Sequence, residues 1–146
     1  MQKSSSSESS AIDVAYIAIG SNLGDRHALL AFARDALAAL PRTRLLRVST
    51  VDETAPIGPV PQPDYLNQMV ALETELEPST LLRALQQIEQ AAGRVRAERW
   101  GPRTLDLDIV YLERQRVDEP SLRVPHPELP NRDFWRRQLA ELMEAS

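Results

Sequence analysis

Strand-like and helix-like stretches follow one another in the order strand, helix, strand, strand, helix, strand. This order predicts an α+β sandwich of ferredoxin-like βαββαβ type. Three observations carry the prediction: two leucine-rich stretches at helical spacing, apolar or alternating stretches of strand length around them, and a proline-rich interval between the two middle strands. In such a sandwich the helices cover one face of the sheet, and the other face is left for a ligand.

Each element has its own signature. Val14-Ala15-Tyr16-Ile17-Ala18-Ile19 is a continuous apolar run ending at Gly20, which reads as a buried first strand. The polar turn Gly20-Ser21-Asn22-Leu23-Gly24-Asp25 follows; its groups suit capping of the next helix or contact with a ligand at the strand end. Leu29, Leu30, Ala33, Leu37 and Leu40 then recur at helical spacing until Pro41, giving a helix from about Arg26 to Leu40. Thr43 to Val51 reads as a second strand with Leu46, Val48 and Thr50 on one face. The segment from Glu53 to Asp64 holds four prolines and a glycine, so it is neither helix nor central strand, and it reads as a semi-rigid lid.

Tyr65 to Thr74 is the third strand, opening with an aromatic and, on the same face, the amide of Asn67. Such a pair suits a stacked, hydrogen-bonded planar ligand, although Tyr65 could equally pack in the core. Pro78-Ser79 opens a second helix whose core face is Leu81, Leu82, Leu85 and Ile88, with Gly93 as its C-terminal cap. Glu89, near that end, reads as a solvated charge. Arg94, Arg96 and Arg99 form a basic stretch leading to Trp100, Gly101, Pro102 and Arg103, which suits a mobile clamp on phosphate.

From Thr104 onward the chain alternates as a strand does. Asp106 and Asp108 share one face, while Leu105, Leu107 and Ile109 take the other. Two adjacent carboxylates repel unless a cation lies between them, and a divalent ion with oxygen ligands, most simply Mg²⁺, answers that need. The bland alternative is an edge strand whose outer face carries two acids. The basic stretch and Trp100 just upstream favour metal-assisted chemistry on a phosphate. Farther on, Arg116 to Pro120 reads as a turn. His126 stands between Pro125 and Pro127, either as a structural residue or as a phosphate ligand or proton donor beside the carboxylates. Asn131 to Trp135 opens a last helix carrying Leu139 and Leu142.

The totals narrow the classes. The chain has 146 residues, which suits one domain; residues 1–12 read as a disordered Ser-rich tail and 13–146 as the domain. A net charge of -4 argues against a nucleic-acid partner. Cysteine is absent, which excludes disulfides and thiolate chemistry, and two histidines are too few for a His-rich zinc site. No apolar run is long enough for a membrane span, and no signal peptide is evident, so the expected compartment is the cytoplasm.

Several of these stretches together are specific. Tyr16 to Gly24, Tyr65-Leu66-Asn67, Gly93-Arg94-Val95-Arg96, Arg99-Trp100-Gly101-Pro102-Arg103-Thr104-Leu105-Asp106-Leu107-Asp108-Ile109, and Val124-Pro125-His126 with Asn131-Arg132 closely resemble the 6-hydroxymethyl-7,8-dihydropterin pyrophosphokinase family. The resemblance runs from about Val14 to Phe134, in the family's order. It implies transfer of the β,γ-pyrophosphoryl group of ATP to the pterin hydroxymethyl, with release of AMP, in folate biosynthesis. Asp106 and Asp108 would then hold two Mg²⁺ ions. Arg94, Arg103 and Trp100 would complete the catalytic group, with Trp100 also closing on the pterin. Tyr65 and Phe134 would sandwich the pterin, with Asn67, Thr54, Ala55 and Ile57 along its edge. Gln86, Arg96, Arg103, His126 and Arg132 would serve ATP. The expected partners are these two small molecules, bound by a monomer. Departures stand out: Ser121 stands where family members often carry a basic residue, Pro127 follows His126 where an aromatic is common, the Arg96-to-Trp100 interval is one residue shorter than in a relative, and Trp135-Arg136-Arg137-Gln138-Leu139 lacks the family's Leu-x-Pro-Leu-hydrophobic tail pattern.

Overall fold

A computed structural model describes residues 11–56, 58–93 and 104–145. The Ser-rich tail assigned to 1–12 therefore lies outside the described residues except for Ala11 and Ile12, as does the basic stretch 94–103. The described elements are β1 (Asp13–Ser21), α1 (Arg26–Ala38), β2 (Thr43–Val48), β3 (Asp52–Thr54), β4 (Tyr65–Thr74), α2 (Pro78–Ala91), β5 (Asp106–Leu112), β6 (Val117–Glu119), β7 (Leu122–Val124) and α3 (Asp133–Glu144). A short 3₁₀ turn, Leu129–Asn131, precedes α3.

The main sheet is antiparallel between neighbours, in the order β2-β4-β1-β5, and β3 pairs with the start of β4. β1 and β2 both run against β4, so they are parallel to each other with β4 between them; β4 and β5 flank β1 in the same way. Each pair is joined by a helix, α1 or α2. The result is an α+β fold of two interleaved strand–helix–strand units.

Strand alternation divides the core in two. Ile17 and Ile19 of β1, Val70 and Leu72 of β4, and Leu107 and Ile109 of β5 meet Leu30 and Leu37 of α1 and Leu81 and Leu85 of α2. On the opposite face Tyr16, Ala18, Met69, Ala71 and Val110 meet Trp135 and Leu142 of α3. That second face was expected to stand open for a ligand. Part of it is instead roofed by α3, because Trp135, Leu139 and Leu142 follow at helical spacing and need a surface to cover.

The helix ends follow local chemistry. The Asp25 carboxylate accepts from the backbone N–H of Ala28 at 3.1 Å, capping α1, so capping falls to Asp25 alone among the turn residues. α2 ends at Ala91, and Gly93 takes φ +77°, the left-handed conformation that a glycine adopts without a Cβ penalty.

Several details differ from expectation. The predicted strand 43–51 is shorter: β2, irregular at a register shift between Leu45 and Arg47, ends at Val48. Val48, placed on one face with Leu46, is 45% exposed at the sheet edge. Glu53 and Thr54, assigned to the proline-rich loop, belong to β3, so the loop starts at Ala55. The turn placed at 116–120 is the first arm of the β6–β7 hairpin. α1 stops two residues before the predicted Leu40.

Candidate active site

The open part of the second face lies beside α3, whose Gln138 reaches Asn67 at its edge. Its floor is set by register. Gly20 of β1 stands between Asn67 of β4 and Asp106 of β5, and one row further in Ala18 stands between Met69 and Asp108. Neighbouring strands are ~4.8 Å apart, so Asn67 and Asp106 face the same space from about 10 Å apart across a bare glycine. A Cβ at Gly20 would lie 3.3 Å from Asn67 Oδ1 and 3.5 Å from Tyr65 Cδ1. Tyr65 and Asn67 thus flank one side of the glycine and Asp106 the other.

Asn67 is nearly buried, and its Nδ2 donates to Thr54 Oγ1 at 2.6 Å across the β3–β4 pair. The loop after β3 is tied down where it returns to β4. Asn22 Nδ2 donates to Gln62 Oε1 at 2.8 Å and to the Pro63 carbonyl at 3.0 Å, and Arg26 bonds both Glu53 and the Asp64 carbonyl at 2.9 Å. The Gly-Ser-Asn turn therefore serves the proline-rich loop. Ala55 is exposed at the loop's start.

On the carboxylate side, His126 Nε2 lies 3.8 Å from Asp108 Oδ1. This is too long for a hydrogen bond but close enough for the two groups to feel each other. Glu128 N–H donates to His126 Nδ1 at 3.0 Å, so the ring proton sits on Nε2, facing Asp108. Burial, and then the charge of Arg132, lower the His126 pKa below its ordinary value, with Glu128 opposing. The imidazole is therefore neutral at pH 7, a donor and not a cation. Trp135 holds it edge-on, ring centroids 4.9 Å apart, and the Arg132 guanidinium carbon lies 4.3 Å from the centroid of the same indole. Arg132 Nε is buried and has no partner among the described residues. A buried N–H without an acceptor is costly, and an anionic ligand oxygen would relieve it. Phe134 stands at the start of α3 with its ring 6.3 Å from Trp135.

Glu89 was expected to be solvated. It is 5% exposed, and its carboxylate accepts from the backbone N–H of Leu107 at 2.8 Å. Leu107 lies between the two aspartates, so α2 grips β5 at the residue that sets their spacing. On a helix, a single acid among polar neighbours carries no sign of this role; only the packing of α2 beside β5 reveals it. Trp135 was likewise read only as part of a helix, although its place three residues after Arg132 was a usable signal. Gln86 is exposed on α2, one turn before Glu89 on the same side of the helix. No described contact joins it to the cluster.

The structure thus brings together Thr54, Tyr65, Asn67, Asp106, Asp108, His126, Arg132 and Phe134 around one end of the sheet. Ile57, Arg94, Arg96, Trp100 and Arg103 lie outside the described residues. Among the described residues no three His, Cys, Asp or Glu side chains form a metal cluster. No described helix is long and apolar enough to cross a membrane.

A strand-borne carboxylate pair beside polar and aromatic side chains on one sheet face suits the phosphoryl-transfer class of chemistry, in which positioning and charge neutralisation do most of the work. The 7,8-dihydro-6-hydroxymethylpterin-pyrophosphokinase family model matches residues 16–144, and the chain belongs to that family. It is similar to the 2-amino-4-hydroxy-6-hydroxymethyldihydropteridine pyrophosphokinase of Pseudomonas aeruginosa, 48% identical over 127 residues, covering 87% of this chain and 78% of the relative. The protein of the same name from Bacillus subtilis is 42% identical over 132 residues, covering 90% and 79%. That from Haemophilus influenzae is 45% identical over 120 residues, covering 82% and 75%.

Proposed function

We propose that this chain carries out the reaction of its family, transfer of a pyrophosphoryl group from ATP to the hydroxymethyl of 6-hydroxymethyl-7,8-dihydropterin in folate biosynthesis, at the open end of the sheet's second face. The observation that carries the site is the register row Asn67–Gly20–Asp106, with Asp108 one row further in. A flat ring has a polar reader and an aromatic on one side of the bare glycine. The charged phosphates have the carboxylates on the other.

Two oxygen donors from protein, with the rest from phosphate and water, are the usual set for Mg²⁺, so Asp106 and Asp108 fit as ligands of the two ions expected. Bound there, the ions would neutralise the triphosphate and polarise the oxygens of the transferring group. The chain's own residues do the rest. Tyr65 and Phe134 stack the pterin, and Asn67 with Thr54 and the loop residues Ala55 and Ile57 read its edge. His126 donates from Nε2, and Arg132, held against Trp135, offers its unused Nε–H to a phosphate oxygen. By the family resemblance, Arg94 and Arg103 would stabilise charge on the transferring group and Trp100 would close the site over both ligands, with Gln86 and Arg96 on the nucleotide side. The ferredoxin-like assignment belongs to the same reading, supported by the β2-β4-β1-β5 order and the two interleaved units. So do a monomeric state and a cytoplasmic setting.

The test is product analysis of the purified protein with ATP, Mg²⁺ and 6-hydroxymethyl-7,8-dihydropterin. Equal amounts of AMP and pterin pyrophosphate are expected. ADP as the nucleotide product, or no pterin product at all, would overturn the reading.

A further inference from the structure

Gln138, on α3, is fully buried, and none of the site roles involves it. Its Nε2 donates to Asp52 Oδ2 at 2.8 Å and to the Asn67 carbonyl at 3.2 Å. Both neighbours are acceptors, so the amide has one tolerable orientation; flipped, it would set its oxygen against a carboxylate and a carbonyl. Its Oε1 has no partner among the described residues. The amide is therefore retained for what its nitrogen holds.

What it holds is a closed ring. Asp52 faces Asn67 in the β3–β4 register, and Thr54, two residues along β3, takes the hydrogen bond from the Asn67 side chain. β3 is three residues long and pairs only with β4. A strand that short does not fix its own register, and the α3 clamp supplies the missing constraint. Arg137 adds a second tie to Asp52, at 2.9 Å. Docking of the helix itself does not depend on Gln138. Arg47 Nε donates to the Leu142 carbonyl at 2.9 Å, and Glu141 accepts from both the N–H and the hydroxyl of Thr50.

We propose that Gln138 is a positioning residue for substrate recognition: by bonding Asp52 and the Asn67 backbone at once, it fixes the Asn67–Thr54 pair in the orientation that reads the edge of the planar substrate. The proposal rests on the assignment of Asn67 and Thr54 to the pterin. It makes the C-terminal helix, which also carries Phe134, the common support of both the stacking and the hydrogen-bonding sides of the pocket.

Gln138→Met keeps the length of the side chain and removes both donors. Binding of 6-hydroxymethyl-7,8-dihydropterin, followed by its own fluorescence, is expected to weaken about tenfold, while KM for ATP changes less than about twofold. Asn67→Ala and the double variant are measured beside it. Because the two residues act through one ring, the double variant should bind only slightly more weakly than Asn67→Ala alone. Unchanged pterin affinity in Gln138→Met, with a clear loss in Asn67→Ala, would overturn the positioning role and leave the site reading intact. Unchanged affinity in Asn67→Ala would overturn the site reading itself. Equal weakening of pterin and ATP in Gln138→Met would mean general loosening, and would also overturn the proposal. If Gln138→Met does not fold, Asp52→Ala breaks the same ring from the strand side and must show the same pterin-selective loss.

Discussion

The two faces of the sheet are made from the same strands and do opposite work. Toward α1 and α2 the strands present Ile17, Ile19, Val70, Leu72, Leu107 and Ile109, and the contact is mainly apolar, with the Arg34–Gln68 and Glu89–Leu107 hydrogen bonds as its polar ties. Toward α3 they present Tyr16, Ala18, Met69, Ala71 and Val110 for half their length. Outside that cluster the same face carries Gly20, Tyr65, Asn67, Asp106 and Asp108. One face is spent wholly on stability; the other is divided between a smaller core and the site. Alternation lets one strand serve both: from Asp106 to Ile109 successive residues of β5 take opposite sides, up to the register shift where Val110 and Tyr111 both join the α3 side. Stability and activity should therefore separate at single-residue resolution along β5.

The sharpest way to test that separation is Asp106→Asn with Asp108→Asn. Metal-based charge stabilisation contributes several kcal/mol, so turnover should fall on the order of 10³-fold. The melting temperature should stay close to the parent's, because neither side chain belongs to either apolar core. A double variant that keeps its turnover would remove the carboxylates from the reaction, and one that unfolds would erase the distinction between the faces.

Leu107→Ala is the mirror experiment. Leu107 lies between the two aspartates in sequence but is 5% exposed on the opposite face. Truncation of a buried leucine costs about 2–5 kcal/mol, read as an earlier midpoint in urea unfolding. Turnover per folded molecule should stay within a few-fold of the parent. A loss of turnover comparable to that of the aspartate variant would show that the two faces are mechanically coupled through β5, and Glu89, bonded to Leu107 N–H, would be the first residue to suspect.

What could be read from the residues divides along the same line. The opposed sides of Asp106 and Leu107 and the core face of α2 follow from periodicity alone, and the described residues bear them out. Periodicity says nothing about which distant element arrives on a face. Three misreadings share that cause: Glu89 taken as solvated, the second face taken as open, and β3 lost among prolines. Asp52–Thr54 is too short to show alternation, and only its pairing with Asn67 and Tyr65 makes it a strand. Gln138 is the extreme case, a polar residue amid Arg136, Arg137 and Glu141 whose burial depends wholly on where α3 lands. The arginines and Trp100 assigned to catalysis lie in 94–103, outside the described residues.

The smallest effect is expected at the seam between stability and function. Gly20→Ala places a Cβ 3.3 Å from Asn67 Oδ1, so that side chain must give by a few tenths of an ångström, while Tyr65 Cδ1 at 3.5 Å is in ordinary contact. Alanine loses less chain entropy than glycine on folding, which offsets the crowding, and the unfolding free energy should move by less than about 1 kcal/mol. The displaced side chain is one assigned to the pterin, so its affinity should fall severalfold, while ATP, on the carboxylate side of the row, binds as before. Titration of both ligands against the variant decides the matter. Equal affinities to the parent would show that the floor between Asn67 and Asp106 is not where the ring lies, and would move the boundary between core and site one row outward.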